Sequence, residues 1–368
     1  MVDGRPLLLR GRLGHCRGST LPGPEPARTA GPAGHRGPSR PGPQNRRRAG
    51  SRFVTRVAAI DCGTNSIRLL IADVDRSNGT AKLTDVVREM RVVRLGQGVD
   101  ATGELAPEAL ERTFAATADY AALIREHGAE SVRFVATSAS RDARNRHVFV
   151  DGIRDLLGVE PEVISGDEEA ALSFAGASSV LPIHDGDQVL VVDLGGGSTE
   201  FVLGTPNGVT AAKSVDIGCV RLTERHLHSD PPTAEQIAAA EADVDAAITR
   251  AGVDVPLERA TAVVGVAGSI TTITAHALRL PEYSPAAIHG AELPIATITA
   301  AAADLLAMTR AERAGLPYMH PGRVDVMGAG GLVWGRILER LQSLSAGRIV
   351  TATASEHDIL DGIALSLN

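Results

Sequence analysis

The sequence predicts an α/β protein with two duplicated domains around a central cleft. Two apolar runs, 57–60 and 189–192, each lead directly into an acidic, glycine-rich turn, DCGTNS at 61–66 and DLGGGS at 193–198. A further β-like run, an Asn-Gly pair and another β-like run follow each turn, which is the pattern of a hairpin. Helical patterns come after the hairpins in both halves of the chain. The repeated unit is therefore a whole supersecondary assembly rather than a single motif.

Each half is expected to contain strands on both sides of its turn. These β-like runs lie at 57–60, 67–73, 84–93 and 133–137 in the first half, and at 189–192, 200–203 and 209–215 in the second. The Asn-Gly pairs that join the later runs lie at 78–79 and 207–208.

Three helices are predicted from their end signals. The first spans 107–127, because it begins at a proline and ends before a glycine, as helices often do. The second spans 233–250, opens on a capping box at 233–236 and should end before Gly252. The third begins at a similar capping box at 165–168.

Residues 1–53 have a different composition from the rest of the chain. They hold 11 arginines, 10 glycines and 8 prolines but only two acidic residues, so they carry about +9 while residues 54–368 carry about −16. Such a segment buries too little apolar area to offset chain entropy, and we expect it to be disordered. Three readings stay open: an arm that binds a polyanion, a transit peptide, or upstream sequence translated ahead of a true start at Val54.

The remaining composition excludes several classes of protein. Cys16, Cys62 and Cys219 have neither a metal-ligand spacing nor the pattern of a disulfide framework, which fits a cytoplasmic compartment. No run of 18 apolar residues occurs, so we expect no membrane-spanning helix and no membrane partner. The negative charge of residues 54–368 does not favour DNA as a partner.

The two turns have the composition of an anion-binding site. Glycines allow sharp backbone turns that bring N–H groups close to an anion, and hydroxyl side chains stand beside them. Asp61 and Asp193 would repel a phosphate unless a cation lies between, and Mg²⁺ suits one or two carboxylates together with phosphate oxygens. The spacing matches neither a P-loop nor a dinucleotide-binding fingerprint. Alternatively, both turns are ordinary hairpins whose acidic residues satisfy turn amides.

Seven motifs follow one another along residues 54–368. They are DCGTNSIRLL (61–70), ATSASRDARN (136–145), SGDEEA (165–170), DLGGGSTEF (193–201), GCVRLTE (218–224), GVAGS (265–269) and SEHDILDGIALSL (355–367). Together they resemble the exopolyphosphatase/guanosine pentaphosphate phosphohydrolase (Ppx/GppA) family in its short, two-domain form, within the actin-like ATPase superfamily. The resemblance implies two actin-like (ribonuclease H-like) domains, at 54–178 and 179–354. The helix within 355–368 would then pack back on the first domain.

The resemblance also implies roles for individual side chains. Glu169 would orient or deprotonate the attacking water, and Arg141 would hold phosphate. Mg²⁺ would be bound by Asp193, Glu200 and Asp61. The substrate phosphates would be bound by residues of both turns and of a later motif, which are Thr64, Asn65, Ser66, Arg68, Gly195, Gly196, Gly197, Ser198, Thr199, Gly268 and Ser269. Arg221 is a weaker candidate for a further phosphate contact.

The implied activity is Mg²⁺-dependent release of terminal phosphate from inorganic polyphosphate, from guanosine pentaphosphate, or from both, and the family suggests a homodimer. From the residues alone, other functions stay open. An actin-like sugar or carboxylate kinase would use VMGAGG (326–331) as a nucleotide-contacting loop, and a non-catalytic sensor would only bind the phosphates. No feature supports a filament protein. The net charge favours short polyphosphates or a pentaphosphate nucleotide over long chains.

Overall fold

The structure, a computed structural model, describes residues 54–367 except 78, 80, 179–183 and 185. The interpretations of residues 1–53 therefore concern residues outside the described set. The same holds for Asn78 of the first Asn-Gly pair and for the predicted domain boundary after residue 178.

The first sheet has five strands around a central β1. They are β1 (Val54–Cys62), β2 (Ser66–Asp75), β3 (Lys82–Val92), β4 (Ser131–Ala136) and β5 (Glu162–Val163). Their order is β3-β2-β1-β4-β5. Strand β1 runs antiparallel to β2 and parallel to β4. The acidic turn at 61–66 therefore joins two neighbouring antiparallel strands at the carboxyl end of β1.

The second sheet repeats this plan and adds an edge strand. Its strands are β6 (Val189–Leu194), β7 (Thr199–Thr205), β8 (Gly208–Val215), β9 (Ala262–Val266), β10 (Glu292–Pro294) and β11 (Thr351–Ala354). Their order is β10-β11-β9-β6-β7-β8, with β6 antiparallel to β7 and parallel to β9. Five strands match the first sheet position by position, so the predicted fold class, two duplicated α/β units, is confirmed.

The helices of the described chain pack on the faces of the two sheets. They are α1 (Val99–Thr102), α2 (Pro107–His127), α3 (Ser138–Asp142), α4 (Arg146–Leu157), α5 (Gly166–Ser178), α6 (Cys219–His226), α7 (Ala234–Asp254), α8 (Gly268–Ala277), α9 (Pro285–Ile288), α10 (Ile295–Ala307), α11 (Arg310–Ala314), α12 (Met327–Leu344) and α13 (Ile359–Ser366). We call the first sheet with α1–α4 lobe I, and the second sheet with α6–α12 lobe II. A search of the described residues finds no helix with the length and apolarity needed to span a bilayer.

Several helix boundaries differ from the sequence prediction. The capping box at Thr233 forms, but α7 continues through Gly252 to Asp254, because its buried face outweighs the cost of about 1 kcal/mol for an internal glycine. At the start of α5, only one of the two hydrogen bonds of the predicted capping box forms. The Ser165 hydroxyl accepts from the Glu168 N–H at 3.2 Å, while the Glu168 carboxylate accepts from Arg133 instead. The kinase alternative would use 326–331 as a loop, but 327–331 form the first turns of α12.

Helices α5 and α13 lie between the two sheets. The apolar side chains of α13 join the core on one face of the first sheet, whereas Ala170, Phe174 and Ala177 of α5 pack on the second. The helices cross at backbone contact distance. A Cβ on Gly176 would lie 1.8 Å from the Asp358 carbonyl oxygen, and one on Gly362 would lie 2.0 Å from that of Leu172. Only glycine fits either position.

Candidate active site

The two acidic turns adopt the same backbone hydrogen bond. The Gly63 N–H donates to the Ser66 carbonyl at 3.0 Å, and the Gly195 N–H donates to the Ser198 carbonyl at 3.1 Å. The turns also touch across the cleft, because a Cβ on Gly196 would lie 2.9 Å from Cβ of Thr64. The duplication therefore brings two equivalent turns face to face.

A cavity of about 90 Å³ lies where the two lobes meet. Its walls are both turns, the first turn of α5, the N-terminus of α8 and a 3-10 turn that ends at Arg323. Most of the predicted site residues line it, namely Asp61, Thr64, Asn65, Ser66, Arg68, Glu169, Asp193, Gly195, Gly196, Ser198, Gly268 and Ser269. The structure thus brings residues from all seven motifs to one small space.

The hairpin of lobe II carries two buried carboxylates on one face. Asp193 and Glu200 are directly opposite each other in the β6–β7 ladder, and they are 6% and 1% exposed. The Ser173 hydroxyl donates to Asp193, and the Ser214 hydroxyl donates to Glu200 at 2.6 Å. Burial, together with neighbouring carboxylates, raises the pKa of Asp193 to about 7 and raises that of Glu200 well above its usual range. Arg68 acts in the opposite direction on Asp193, but among the described residues no cation lies within salt-bridge distance of either carboxylate.

The hairpin of lobe I places an arginine where lobe II has the glutamate. Arg68 stands opposite Asp61 in the β1–β2 ladder and donates to Asp61 Oδ2 at 2.6 and 2.9 Å. It also donates to Asp358, just before α13. Burial opposes the charge on Arg68, but Asp358 and Asp61 more than offset it and raise the pKa of the guanidinium. Arg68 lines the cavity as predicted, but its charge is already balanced by two carboxylates.

Glu169 projects from the first turn of α5 into the cavity. Arg141 Nη1, from α3, donates to Glu169 Oε2 at 3.0 Å and to the Ile164 carbonyl at 3.1 Å. Burial raises the pKa of Glu169 to about 7 even though Arg141 acts in the opposite direction. A carboxylate of this kind changes protonation state near neutral pH, as a general base should. Arg141 itself stands behind Glu169 and is not part of the cavity wall.

Four predicted residues lie outside the cavity wall for identifiable reasons. Arg141 and Glu200 stand behind the lining side chains. The Thr199 hydroxyl is fully buried and donates to the Ile217 carbonyl, a bond that holds β7 in place. Gly197 faces lobe I, where a Cβ would lie 2.6 Å from the Ser138 hydroxyl.

The structure adds cavity residues that the sequence analysis did not assign to the site. Ala267, at the N-terminus of α8, has φ of 72°, a left-handed conformation that is strained for a residue with a side chain. Arg323 packs over Gly268, so close that a Cβ there would lie 2.2 Å from the guanidinium carbon. Among the described residues, Arg323 has no carboxylate partner within salt-bridge distance. The strain at Ala267 and the missing partner of Arg323 are both tertiary properties, and neither leaves a signal in the sequence.

Arg221 joins the two lobes instead of facing the cavity. Its Nε donates to the Gly197 carbonyl at 2.7 Å, and its two terminal nitrogens donate to Asp100 and Asp142 of lobe I, both at 2.5 Å. Arg225 adds bonds to Asp100 at 2.6 and 2.8 Å. This arrangement ties the glycine-rich turn of lobe II to lobe I.

The cavity residues fit a hard divalent cation shared with substrate. Asp61 Oδ1 is buried and has no hydrogen-bond partner. The Ser173 hydroxyl donates to Asp193, and Glu200 accepts from Ser214 and Ser198. Within the residues that the structure describes, no three His, Cys, Asp or Glu side chains are grouped to hold a metal by themselves. Mg²⁺ does not require such a cage, since it is usually held by one or two carboxylates with waters and phosphate oxygens.

Two facing anion-binding turns with a buried carboxylate between them define a phosphate-transferring protein of the actin-like class. The chain belongs to the Ppx/GppA phosphatase family, whose pattern matches residues 70–367. The family predicted from the sequence is therefore confirmed.

Known relatives agree with this assignment. Exopolyphosphatase 2 of Mycobacterium tuberculosis (strain CDC 1551 / Oshkosh) is 53% identical over 319 residues, which is 85% of this chain and 99% of the relative. A guanosine-5'-triphosphate,3'-diphosphate pyrophosphatase of Photobacterium profundum is 36% identical over 190 residues, 52% of this chain and 36% of the relative. A crystal structure of an exopolyphosphatase-like protein is 48% identical, with a TM-score of 0.80 over 85% of this chain and 98% of the other.

Proposed function

We propose that this protein is a Mg²⁺-dependent phosphoanhydride hydrolase that releases the terminal phosphate of inorganic polyphosphate, of guanosine pentaphosphate, or of both. One observation carries the proposal. The two duplicated turns and Glu169 line the same 90 Å³ cavity, so a phosphate bound by the turns lies next to a carboxylate able to act as a base.

Glu169 is the proposed general base. It accepts a proton from a water molecule as the water oxygen attacks the terminal phosphorus, while the bridging P–O bond to the rest of the substrate breaks. Arg141 positions the Glu169 carboxylate through the 3.0 Å bond. A buried carboxylate whose pKa is about 7 is half ionised at neutral pH, which is where a general base is most effective.

The other cavity residues bind and orient the phosphates. The backbone N–H groups of the turns, the hydroxyls of Ser198 and Ser269 and the Arg323 guanidinium, which has no carboxylate partner within salt-bridge distance among the described residues, supply the donors that phosphoryl transfer needs. Positioning accounts for most of the catalysis. Asp193, Glu200 and Asp61 Oδ1 would hold the Mg²⁺. When bound, the ion would neutralise charge that develops on the transferred phosphoryl group.

The names of the relatives support both substrate types. We propose short polyphosphates or a pentaphosphate nucleotide as the preferred substrates, because residues 54–368 carry about −16 and repel a long polyanion. We further propose that 54–178 together with the C-terminal helix forms one domain and 179–354 the other, with the site between them. A cytoplasmic homodimer is the form that the family suggests.

The first test compares Glu169→Gln with its neighbour Glu168→Gln. Both substitutions remove one carboxylate from the same helical turn, but Glu168 pairs with Arg133 at the surface. We expect phosphate release to fall by about 10²–10⁴-fold in Glu169→Gln, the usual contribution of a positioned base. Affinity for tripolyphosphate should hold or rise, since an amide repels an anion less than a carboxylate does.

Initial rates and titration calorimetry on purified variants measure both quantities. Wild-type turnover in Glu169→Gln would show that water is activated elsewhere. Equal losses of phosphate release in the two variants would indicate that α5 is misfolded, not that a catalytic base is missing. Polyphosphates of graded length and guanosine pentaphosphate, tested side by side with Mg²⁺, rank the substrates.

A further inference from the structure

The segment 315–326 joins α11 to α12 and carries Arg323 into the phosphate cavity. The side-chain bonds that hold Arg323 are long, since its Nη1 donates to the Gly268 carbonyl at 3.3 Å and to the Thr272 hydroxyl at 3.4 Å. Well-formed N–H···O bonds measure about 2.7–3.2 Å. The position of the Arg323 guanidinium therefore depends mainly on the backbone of this segment.

One buried side chain holds that backbone directly after Arg323. Arg313, in α11, is 3% exposed. Its Nε donates to the Val324 carbonyl at 2.8 Å. Its Nη1 donates to the Leu305 and Met308 carbonyls, at 3.0 and 2.9 Å. These two carbonyls lie at the C-terminus of α10, where carbonyls lack helical partners and a cation is favourable. Arg313 therefore fastens the segment to the end of α10.

The stability of the fold does not by itself explain an arginine at this position. The Asp230 carboxylate is 3.8 Å from Arg313 Nη2, and its own oxygens accept from the Arg310 N–H at 2.9 and 3.1 Å. Burial lowers the pKa of Arg313. Replacing buried charges by well-packed apolar side chains is often neutral or stabilising. What a guanidinium does here, and an apolar side chain could not, is hold three backbone carbonyls at once.

The same segment also contacts lobe I on both sides of Arg323. The Asn65 side-chain amide, in the acidic turn of lobe I, donates to the Gly322 carbonyl at 3.4 Å. Two residues past Arg323, Asp325 pairs with Arg94 at 2.9 Å. Fixing the backbone of this segment therefore sets the position of Arg323 relative to both lobes.

We propose that Arg313 is a positioning residue, which holds the Val324 carbonyl and thereby keeps the Arg323 guanidinium in place to bind phosphate. Arg313 itself is outside the cavity wall and outside the seven motifs. The proposal rests on the proposed function for the identity of the ligand. Orthophosphate, the product of that reaction, tests the proposal without any hydrolysis.

Two substitutions of Arg313 separate its contacts. In Arg313→Lys a methylene replaces Nε, so the bond to Val324 is lost while the positive charge stays near the C-terminus of α10. In Arg313→Gln the amide nitrogen occupies the position of Nε, so the bond to Val324 can form while the charge and the bonds to α10 are lost. Affinity for phosphate should follow the Val324 bond, and stability should follow the charge and the α10 bonds.

Titration calorimetry with orthophosphate and thermal unfolding measure the two properties. We expect the Kd for orthophosphate to rise about three- to tenfold in Arg313→Lys, the scale of one well-formed hydrogen bond, and by less than about twofold in Arg313→Gln. The melting temperature should fall more in Arg313→Gln than in Arg313→Lys, because the glutamine leaves two buried carbonyls without a donor.

Arg76→Lys is the matched control. Arg76 Nη2 donates to the Leu365 and Leu367 carbonyls at the C-terminal end of α13, at 3.0 and 2.6 Å. Arg76 follows β2 at the end opposite to the acidic turn. The substitution therefore makes the same exchange at a helix C-terminus outside the phosphate cavity, and its Kd for orthophosphate should equal that of the wild type.

A double-mutant cycle tests whether Arg313 acts through Arg323. Arg323→Ala alone should raise the Kd for orthophosphate by about tenfold or more, as expected for a lost charge-assisted contact. Adding Arg313→Lys to Arg323→Ala should raise it by no more than about twofold further, because the side chain that Arg313 positions is already gone.

Three results would overturn the proposal. The first is an unchanged Kd for orthophosphate in Arg313→Lys. The second is an equal rise in Arg313→Lys and Arg313→Gln, which would assign the effect to the charge and not to the Val324 bond. The third is a pair of losses that multiply in the double variant, as expected for a purely structural role. If orthophosphate binding changes as expected but no phosphoanhydride is hydrolysed, the positioning role is supported and the proposed function fails.

Discussion

The hairpins of the two lobes share a backbone but differ in charge. Each begins with a buried aspartate and closes with the same Gly N–H to Ser carbonyl bond. Directly opposite the aspartate, lobe I has Arg68 and lobe II has Glu200. The side chain at this ladder position therefore decides whether the buried aspartate has a cation within its own hairpin or requires one from elsewhere.

Both turns line the cavity, but the two hairpins differ in how the buried aspartate is paired. In lobe I, Arg68 also reaches Asp358, so the hairpin is tied to the segment that leads into α13. In lobe II, neither Asp193 nor Glu200 has a cation within salt-bridge distance among the described residues. The two equivalent ladder positions thus carry side chains of opposite charge, Arg68 in lobe I and Glu200 in lobe II.

The largest expected effect comes from neutralising the carboxylate pair of lobe II. Glu200→Gln should lower the rate of phosphate release by at least about 10²-fold, the scale of losing one electrostatic contact to the transition state. It should also raise the Mg²⁺ concentration needed for half-maximal rate. Rates measured across a Mg²⁺ titration decide this, with the exposed Glu258→Gln as control. Unchanged rates in excess chelator would exclude a metal role for the pair.

The second largest effect is on the free energy of unfolding. Substitutions at the equivalent positions of the two hairpins should change it in opposite directions. Arg68→Met leaves Asp61 and Asp358 buried without their cation, which should reduce the free energy of unfolding by about 3–5 kcal/mol. In metal-free buffer Glu200→Gln should be as stable as the wild type or more so, since it removes a buried charge. Urea unfolding measures both variants. Adding Asp61→Asn to Arg68→Met should restore part of the loss, and a fully stable Arg68→Met would show that the ion pair is dispensable.

The third effect is a pH dependence of stability without metal. Burial raises the pKa values of Glu169 and Asp193 from near 4 in the unfolded chain to about 7. Between those values the folded state binds more protons than the unfolded state, so stability falls as pH rises. We expect each of the two groups to lose roughly 3 kcal/mol between pH 4.5 and pH 8 in chelator, or roughly 6 kcal/mol together.

Added Mg²⁺ should flatten this dependence, because a cation compensates the ionised carboxylates. Asp193→Asn should flatten it as well. Thermal unfolding across this pH range provides the measurement, and a rise in stability with pH in chelator would contradict the assignment.

The smallest effect tests the contacts that join the lobes. Asp100→Asn weakens the bonds from Arg221 and Arg225, and partly exposed ion pairs contribute about 0.2–1 kcal/mol each. We expect KM for tripolyphosphate to rise by about two- to fivefold, with a smaller rise at high salt. Asp119→Asn is the control, since it breaks a surface pair within lobe I. An unchanged KM in Asp100→Asn would show that these bonds do not contribute to substrate binding.

Local pattern was sufficient to predict the fold but not the partners of the site residues. The two turns, the strands beside them and α2 follow from apolar periodicity and from end signals within a few residues. The position of Glu169 in the first turn of α5 follows from the same signals. Thr199 was assigned to substrate, yet alternation along a strand already places it on the opposite face from Glu200.

The long-range partners could not be predicted for a physical reason. Arg68 and Asp358 lie 290 positions apart in the chain, and only the packing of α13 brings them together. Arg323 reaches the cavity from a short 3-10 turn without a recognisable motif, because its position depends on Gly268 in another element. Charge pairing across two lobes depends on tertiary geometry, which the spacing of residues does not encode.

The placement of α13 has a consequence for synthesis on the ribosome. Its side chains Ile359, Leu360 and Ile363 complete the apolar core around Val57 and Leu70, which are among the earliest residues of lobe I to be translated. One face of the first sheet therefore stays uncovered while lobe II is being made. An apolar sheet face exposed for that long is prone to aggregation, and a nascent chain of this kind should depend on chaperones until residues 359–366 have left the exit tunnel.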